Sequence, residues 1–315
     1  MRIYKELGEF LELTKPVVTI GTFDGVHVGH QKILSRLKAL AAENGGQVVV
    51  LTFDPHPRKV LFPDQKGLFL LTSMQEKISL LEKYGVQHLV IHPFSIEFSK
   101  LSHHDFIQQI VVEKLKVDTL VVGYDHQFGH NREGSFKELK ELAPLLGFKV
   151  EEIPEQDIDE IAISSTRIRK ALQEGQIESA NQLLGYTYSL QGTVVKGNQI
   201  GRTLGFPTAN LKPFTSDKLI PAVGVYAVTV LHKEQYYKGV LSIGNRPTFD
   251  NGALSIEVNI FNFDTDIYND EITIFIHHFI RTDLKFASVD DLVLQMHKDK
   301  AKSMELLAQI DVKNN

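Results

Sequence analysis

Two histidines, His27 and His30, lie in the stretch VVTIGTFDGVHVGH (17–30), where an apolar run ends in a turn punctuated by glycines. Apolar residues at helical spacing follow, so the turn should join a buried strand to an amphipathic helix. The start of a helix attracts phosphate through its free N–H groups and dipole, and Gly25 and Gly29 would let phosphate approach the backbone. Histidines three residues apart face the same way there and can donate hydrogen bonds to phosphate oxygens.

Two other interpretations of the histidine pair stay open at this point. The imidazoles could simply cap the helix, or they could belong to a metal site. Zinc requires three or four ligands and the chain has no cysteine, so the metal site is the weaker alternative.

Further polar groups follow the next predicted strands. The turn TFDPHP (52–57) carries His56 between prolines that fix an extended conformation. The loop VVGYDHQFGHNREG (121–134) carries Asp125, Phe128 and Arg132, and such an aromatic and acid can stack on and hydrogen-bond a flat polar ring. A rigid surface turn and a solvated loop are the alternatives.

The segment ISSTRIR (163–169) predicts a helix start. Ser164, Ser165 and Thr166 suit the N-cap, and Arg167 and Arg169 fall in the first turns of the helix. Hydroxyls and guanidinium groups there would form a second phosphate clamp, because the fork of arginine matches phosphate geometry. An ordinary cap with exposed arginines is the alternative.

The segment GNQIGRTLGFPTANLKP (197–213) is a third candidate for phosphate binding. Its glycines, among them Gly201 and Gly205, allow the backbone to fold around phosphates, and Thr208 and Asn210 present oxygens to a hard cation. A long decorated hairpin is the alternative.

The elements that position these residues fall into two groups. Up to about residue 185, β-rich runs (17–23, 47–53, 88–94, 118–124) alternate with helical patterns (31–43, 73–84, 103–115, 135–146), which predicts an α/β doubly wound parallel sheet of Rossmann-like type. Ligands bind beyond the carboxyl ends of such strands. From 186 onward, five or six short runs predict a small antiparallel β-barrel, followed by a helix over 288–310. The predicted domains are therefore 1–185 and 186–315.

Composition excludes several classes of function. The 315 residues carry a net charge of −5, which argues against a general nucleic-acid binder. The lack of cysteine excludes disulfides, thiol nucleophiles and thiolate zinc sites. No signal peptide and no apolar run long enough for a membrane span are found, so a cytoplasmic location is expected. The oligomeric state stays open.

The motifs also resemble a known family. HVGH (27–30) resembles the HxGH signature of the nucleotidyltransferase superfamily, and the longer GTFDGVHVGH resembles the adenylyltransferase domain of bacterial bifunctional riboflavin kinase/FAD synthetases. ISSTRIR resembles the ISSTxxR signature that holds the β and γ phosphates of ATP, and GYDHQFG with REG resembles the flavin and adenine loop. GRTLGFPTANL resembles the riboflavin kinase signature that binds Mg–ATP, and IEVNIFNFDTDIYNDEI resembles the segment that supplies the carboxylate base of the kinase.

The resemblance implies an enzyme that phosphorylates riboflavin to FMN in the C-terminal domain and adenylylates FMN to FAD in the N-terminal domain. Its small-molecule partners would be riboflavin, FMN, FAD, ATP, ADP and pyrophosphate, with Mg²⁺ accompanying ATP and no tightly bound prosthetic group. The implied catalytic residues are His27, His30, Arg169 and Glu257, the last as the base. The implied ATP and phosphate ligands are Gly21, Phe23, Asp24, Gly25, Gly29, Ser164, Ser165, Thr166, Gly201, Gly205, Thr208 and Asn210, of which Thr208 and Asn210 would also hold the metal. The implied flavin contacts are His56, Asp125, Phe128, Arg132 and Arg281.

The sequence departs from the usual pattern of the family at four positions, Gln127, Ser135, Asn259 and Asn269. Two rival functions stay open, and these departures favour the first of them. One is an adenylyltransferase for another phosphate-bearing substrate, whose degenerate barrel only binds flavin. The other is a flavin-sensing binding protein without turnover, against which the retention of two sets of phosphate-chemistry residues argues.

Overall fold

The protein is described here from a computed structural model, which covers residues 1–64, 67–123, 129, 134, 136–153, 163–197, 200–245 and 254–310. Contacts divide the chain into two compact units, Met1–Ser164 and Ser165–Asn315. The predicted boundary near residue 185 follows the change in composition and stays a prediction.

The first unit is built on a parallel sheet of six strands in the order β1-β4-β3-β2-β5-β6. The strands are β1 (Arg2–Tyr4), β2 (Pro16–Ile20), β3 (Gln47–Phe53), β4 (His88–His92), β5 (Thr119–Gly123) and β6 (Lys149–Ile153). A 3-10 turn (Leu7–Glu9) precedes β2, and the helices are α1 (Val28–Asn44), α2 (Pro57–Leu61), α3 (Met74–Lys83), α4 (Ile96–Ser99), α5 (His103–Asp105), which continues as a π-helix over Phe106–Lys114, and α6 (Phe136–Leu146).

Helices cover both faces of this sheet. Val18 and Leu51 belong to one hydrophobic core together with residues of the π-helix and α6, whereas Val17 and Val50 belong to a second core together with α1 and α3. Neighbouring residues of a strand point to opposite faces, so continuous apolar strands are what two covered faces require. The predicted doubly wound α/β fold is confirmed.

Two strands at the edges of the sheet escaped prediction. β1 has three residues, and β6 (KVEEI) is rich in charge, which is typical of edge strands. Glu151 of β6 forms an ion pair with Arg36 of α1, and this contact across 115 residues was not visible in the local pattern.

The second unit contains a closed six-stranded barrel in the order β10-β11-β8-β7-β12-β9, which confirms the predicted barrel. The strands are β7 (Ser189–Val195), β8 (Ala209–Pro213), β9 (Gly224–His232), β10 (Gln235–Asn245), β11 (Leu254–Ile260) and β12 (Glu271–Arg281). The helices are α7 (Ser165–Gln173), α8 (Ile177–Leu184), α9 (Ile200–Thr203) and α10 (Val289–Leu306). Strand β8 lies inside the segment 197–213, which is predicted to fold around phosphates.

Helix α8 is joined to the barrel by the side chain of Asn181. Its Nδ2 donates to the carbonyl of Ile276 on β12 at 2.9 Å, and its Oδ1 accepts from the backbone N–H of Tyr188 at 2.8 Å. Helix α8, which precedes position 185, therefore packs with the barrel.

Apolar residues at helical spacing, among them Val289 and Ala301, predict an apolar face for the last helix, and this prediction is partly wrong. Val289 is 60% exposed and Ala301 is also exposed, whereas the polar residues Asp299 and Ser303 are buried. Ser303 donates from Oγ to the carbonyl of Gly239 at 2.9 Å, and Asp299 pairs with Arg281. Polar partners on the barrel thus stabilise this face of α10, so hydrophobicity alone could not identify it.

The buried imidazole of His277 on β12 predicts a pH dependence of stability. It shares a hydrogen bond with the hydroxyl of Thr229 at 2.9 Å, and burial, together with the nearby His278, lowers the pKa of His277 to about 4. Because the unfolded chain binds this proton near pH 6.5, stability is fully present above that pH and falls as pH drops toward 4. We expect a loss of about 2 kcal/mol in the free energy of unfolding between pH 7 and pH 5 from this group.

Urea denaturation of the parent and of His277→Gln at both pH values tests this expectation. The glutamine variant does not titrate in this range, so its free energy of unfolding should depend less on pH. Equal pH dependence of the two proteins would contradict the assignment.

Candidate functional site

The first candidate site is the histidine turn, residues 21–27, which joins β2 to α1. The strand before it is wholly buried, and His27 occupies the N-cap position of α1. The rings of His27 and His30 stack with centroids 3.7 Å apart and planes 17° apart, as their spacing predicts. Phe23 packs beside them with its ring 4.8 Å from that of His30. The turn thus directs two imidazoles to one place at the start of a helix.

The backbone of the histidine turn is strained. Gly25 has a φ of 82°, and the non-glycine residues Phe23 and Val26 have φ values of 47° and 35°. A β-branched residue such as Val26 rarely adopts positive φ, and such a conformation persists only where the surroundings enforce it.

Three sets of hydrogen bonds from distant parts of the chain enforce that conformation. The buried Asp24 carboxylate accepts from the backbone N–H of Leu71 at 2.9 Å and of Thr72 at 3.2 Å. The N–H of Gly25 donates to the Thr72 hydroxyl at 3.2 Å. The carbonyl of Thr22 accepts from the hydroxyl of Thr52 at 3.2 Å and from Nζ of Lys77 at 2.8 Å. Asp24 therefore shapes the turn, and its predicted contact with phosphate stays a prediction.

His30 is held as a neutral imidazole. Burial lowers its pKa well below the ordinary value, and the charges of His27 and Lys77 lower it further. Its Nδ1 is buried and has no hydrogen-bond partner among the residues that the structure describes. A neutral ring can donate one hydrogen bond and accept another, which suits a group that meets phosphate oxygens.

The two alternatives for the histidine pair gain no support. The His27 side chain makes no capping hydrogen bond to α1. Within the described ranges, no group of three or more His, Asp or Glu side chains converges to hold a metal ion.

His56 lies just beyond the carboxyl end of β3 and caps helix α2. Its Nδ1 accepts from the N–H of Arg58 at 3.2 Å, so in the neutral ring the proton resides on Nε2, which becomes the donor. The other predicted flavin contacts of this unit, Asp125, Phe128 and Arg132, lie outside the described residues, as do Gln127 and Ser135.

Helix α7 begins at Ser165, which places Ser164 before it and Arg169 in its second turn. Thr166 is exposed and Arg169 is half-buried. The helix belongs to the second compact unit, whereas the histidine turn belongs to the first. The joint action of these residues on one triphosphate stays a prediction.

The second candidate site, called the barrel site, consists of Thr208, Asn210 and Glu257. Strand β8 pairs antiparallel with β11 in a register that sets Glu257 directly opposite Asn210. The hydroxyl of Thr208 donates to Glu257 Oε2 at 3.3 Å. Residues 49 positions apart thus meet because the barrel closes through β8.

The glycines of the barrel site allow close approach of the chain. A Cβ on Gly197 would collide with the side-chain amide of Asn210, so a larger residue here would push that amide out of its place. Gly201 lies in α9, and Gly205 has a φ of 80° in the turn that leads to Thr208. A Cβ on Gly201 would collide with the backbone oxygen of Phe206, whereas at Gly205 the positive φ itself disfavours a side chain.

The donor set of the barrel site fits Mg²⁺. The amide of Asn210 lies opposite the carboxylate of Glu257, the hydroxyl of Thr208 is hydrogen-bonded to that carboxylate, and Mg²⁺ prefers oxygen ligands. Mg²⁺ usually takes one or two protein ligands and completes its shell with water and substrate phosphates, so Thr208 and Asn210 suffice.

Asn259, one of the departures from the usual pattern, anchors the segment that ends in the barrel site. Its Nδ2 donates to the carbonyl of Pro207 at 2.7 Å, immediately before Thr208. Asn269, a second departure, has a φ of 65° and donates from its backbone to Val194 at 2.9 Å. Asparagine tolerates this left-handed conformation better than most residues.

Arg281, predicted to contact flavin, has its guanidinium against Asp299 of α10. Its Nη2 donates to Asp299 Oδ2 at 2.7 Å, its Nε to Oδ1 at 3.0 Å, and Nη1 to the carbonyl of Thr282 at 2.9 Å. Arg281 on β12 thus joins α10 to the barrel through this ion pair. Its contact with flavin stays a prediction.

The sequence interpretation missed the buried charge of Lys77 on α3. Its Nζ donates to the carbonyl of Thr22 in the histidine turn at 2.8 Å. A signal existed, because Lys77 precedes the buried Leu81 by four residues and so lies on the core-facing side of α3. For the roles of Asn259 and Asp299 no local signal existed, since Pro207 and Arg281, to which they bind, lie on other elements.

Comparison with known proteins covers both units. Residues 11–167 match the FAD synthetase family and residues 184–307 match the riboflavin kinase family. A bifunctional riboflavin kinase/FMN adenylyltransferase of Listeria monocytogenes is 40% identical over 304 residues, which cover 96% of each chain. A protein of the same description from Bacillus subtilis is 38% identical over 304 residues and 95% of each chain.

Among solved structures, the whole chain resembles one described as a macrolide-efflux protein from Streptococcus pneumoniae. The TM-score is 0.86 at 33% identity, and the match covers 96% of this chain and 97% of that one. No helix in the described part of this chain is both long and apolar enough to cross a membrane.

Proposed function

The chain belongs to the family of bifunctional riboflavin kinase/FMN adenylyltransferases, and we propose how its two candidate sites divide the two reactions. The enzyme phosphorylates riboflavin with ATP to give FMN, and it transfers the adenylyl group of ATP to FMN to give FAD. The observation that carries the division is the presence of a separate set of phosphate-directed side chains in each unit, the histidine pair in one and the barrel site in the other.

In the adenylyl transfer, the histidine turn acts on the α-phosphate of ATP. An oxygen of the FMN phosphate attacks the α-phosphorus, the bond from that phosphorus to the bridging oxygen breaks, and pyrophosphate leaves. The nucleophile is already ionised at neutral pH, so no general base is needed. His27 and His30 then stabilise charge on the α-phosphate in the transition state, with His30 closer to the reacting phosphorus.

The residues Ser164, Ser165, Thr166 and Arg169 bind the β and γ phosphates in this proposal. Their position at the start of α7 supports it, because a helix start and guanidinium groups both favour phosphate. The flavin is expected to meet His56 together with Asp125, Phe128 and Arg132.

In the phosphorylation of riboflavin, Glu257 is the base. The terminal ribityl hydroxyl gives its proton to the Glu257 carboxylate as it attacks the γ-phosphorus, and ADP leaves with the electron pair of the broken bond. The hydrogen bond from Thr208 and the position opposite Asn210 orient this carboxylate beside the proposed phosphate ligands.

Mg²⁺ would be held at Thr208 and Asn210, and when bound it neutralises charge on the phosphates of ATP. Both reactions consume ATP, which is consistent with the cytoplasmic location expected from the sequence. We also propose a domain boundary near residue 185, because the sequence changes there from alternating strands and helices to a run of short strands.

Turnover assays with and without metal test the proposal. We expect riboflavin, ATP and Mg²⁺ to yield FMN and then FAD, and FMN with ATP to yield FAD and pyrophosphate, as separated by chromatography. Chelation of Mg²⁺ by excess EDTA should abolish both products, and added Mg²⁺ should restore them.

Each rival makes a different product pattern in this assay. An adenylyltransferase with a degenerate barrel would form no FMN from riboflavin, and a flavin-sensing protein would form neither product. Full activity in EDTA would contradict the proposed role of the metal.

A further inference from the structure

Lys77 on α3 is a buried cation that the proposed mechanism leaves without a role. Its residue exposure is 4%, and its Nζ donates to the carbonyl of Thr22 in the histidine turn at 2.8 Å. Lysine is almost never this deeply buried unless it is paired, because removing its charge from water is unfavourable. Specific interactions must therefore compensate the free-energy cost of burying this ammonium group.

The surroundings of Lys77 do not form a simple ion pair. Burial lowers the pKa of Lys77, whereas the carboxylates of Asp24 and Asp54 raise it. Asp24 already accepts from the backbone of Leu71 and Thr72, and no hydrogen bond from Lys77 to a carboxylate is found in the described part of the chain. The direct contact of the ammonium is with a backbone carbonyl.

That carbonyl lies at the start of the strained turn. Thr22 directly precedes Phe23, the first residue of the turn with positive φ, and its oxygen also accepts from the hydroxyl of Thr52 on β3 at 3.2 Å. Two side chains from two different elements thus hold one carbonyl. Fixing this peptide group helps to fix the conformation of the backbone that leads into His27.

We infer that Lys77 is a positioning residue for adenylyl transfer, which fixes the Thr22 carbonyl and so the turn that presents His27 and His30. This inference rests on the proposed role of the histidine pair. A second effect follows from charge, because Lys77 is one of the groups that hold His30 in its neutral form.

Replacement by methionine keeps an unbranched side chain, one heavy atom shorter, and removes its charge and donors. Lys77→Met should lower kcat for FAD formation on the order of a hundredfold, since small displacements of catalytic groups have effects of that size, with a smaller change in KM for ATP. FMN formation from riboflavin should be unchanged. Lys83→Met, at an exposed position on the same helix, is the matched control and should leave both activities unchanged.

Two further variants separate positioning from a general loss of structure. Lys77→Arg keeps charge and donors and should recover part of the FAD-forming rate. Thr52→Val removes the second donor to Thr22 and should lower the rate less than Lys77→Met, and the double variant should be non-additive because both act on one carbonyl.

A titration of His30 gives a readout besides activity. In NMR spectra of histidine-labelled protein, with the His30 signal assigned by its loss in His30→Ala, the midpoint of titration should move to higher pH in Lys77→Met and stay in place in Lys83→Met. An unmoved midpoint, or FAD formation by Lys77→Met within about twofold of the parent rate, would overturn the inference.

The His30→Ala variant distinguishes an error in the proposed role of the histidine pair from an error in the inference about Lys77. If His30→Ala retains full FAD formation, the proposed role of the histidine turn is wrong, and the inference about Lys77 is overturned with it. If His30→Ala loses FAD formation and Lys77→Met does not, only the inference about Lys77 is overturned.

Discussion

Glu257→Gln should lower the formation of FMN from riboflavin by about 10²- to 10⁴-fold, the range that general-base catalysis supplies. The amide has nearly the shape of the carboxylate and can still accept from Thr208, so the local structure should persist. It cannot take the proton of the ribityl hydroxyl. FAD formation from supplied FMN should continue at the parent rate, because adenylyl transfer does not require this base.

The measurement is the rate of each product from its own substrate, riboflavin for one reaction and FMN for the other. Glu271→Gln is the matched control, since Glu271 is an exposed glutamate at the start of β12 in the same barrel. A Glu257→Gln enzyme that phosphorylates riboflavin at near the parent rate would refute the base assignment.

His30→Ala should have the reverse effect, with a loss in FAD formation on the order of 10²- to 10³-fold, the size seen when one donor to a transition-state oxyanion is removed. The loss is expected because His30 stacks on His27 and its pKa is lowered, so a neutral donor is held in place before substrate binds. FMN formation from riboflavin should survive, because the barrel site is untouched.

The control for this variant is His104→Ala, which alters an exposed histidine of the same unit. FMN and FAD formation should both be unaffected in it. Equal loss of both activities in His30→Ala would contradict the assignment of the two reactions to separate sites.

Much of the fold follows from local patterns. The buried strand β3 was predicted with its observed bounds, because six of its seven residues are apolar or β-branched and turn signals flank them. Helix α3 begins at a capping box formed by Ser73 and Glu76, within one residue of the predicted start. Such features depend on neighbouring residues only, so a single sequence contains them.

The errors share a physical cause. Strand β8 reads as a loop because its residues, ANLKP, have little β-propensity, and pairing with β7 and β11 makes it a strand. Asp299 reads as a solvent-facing residue of α10, and its burial is compensated by the ion pair with Arg281 on β12, to which Gln295 adds a hydrogen bond. In each case a partner distant in sequence overrides the local preference.

The sequence alone determined the two reaction classes and the residue types that serve them. The spacing of His27 and His30 was enough to predict that they act together, since residues three apart on a helix share a face. The order of the motifs, with adenylyltransferase signatures before kinase signatures, was enough to predict the family.

The tertiary structure decided how these residues are held. It set Glu257 opposite Asn210 through the register of two strands. It also brought the backbone N–H of Leu71 to the Asp24 carboxylate, and the ammonium of Lys77 to the Thr22 carbonyl. These partners lie 47 to 55 positions apart along the chain. Contacts over such separations arise only when sheet and barrel assemble, so no local pattern encodes them.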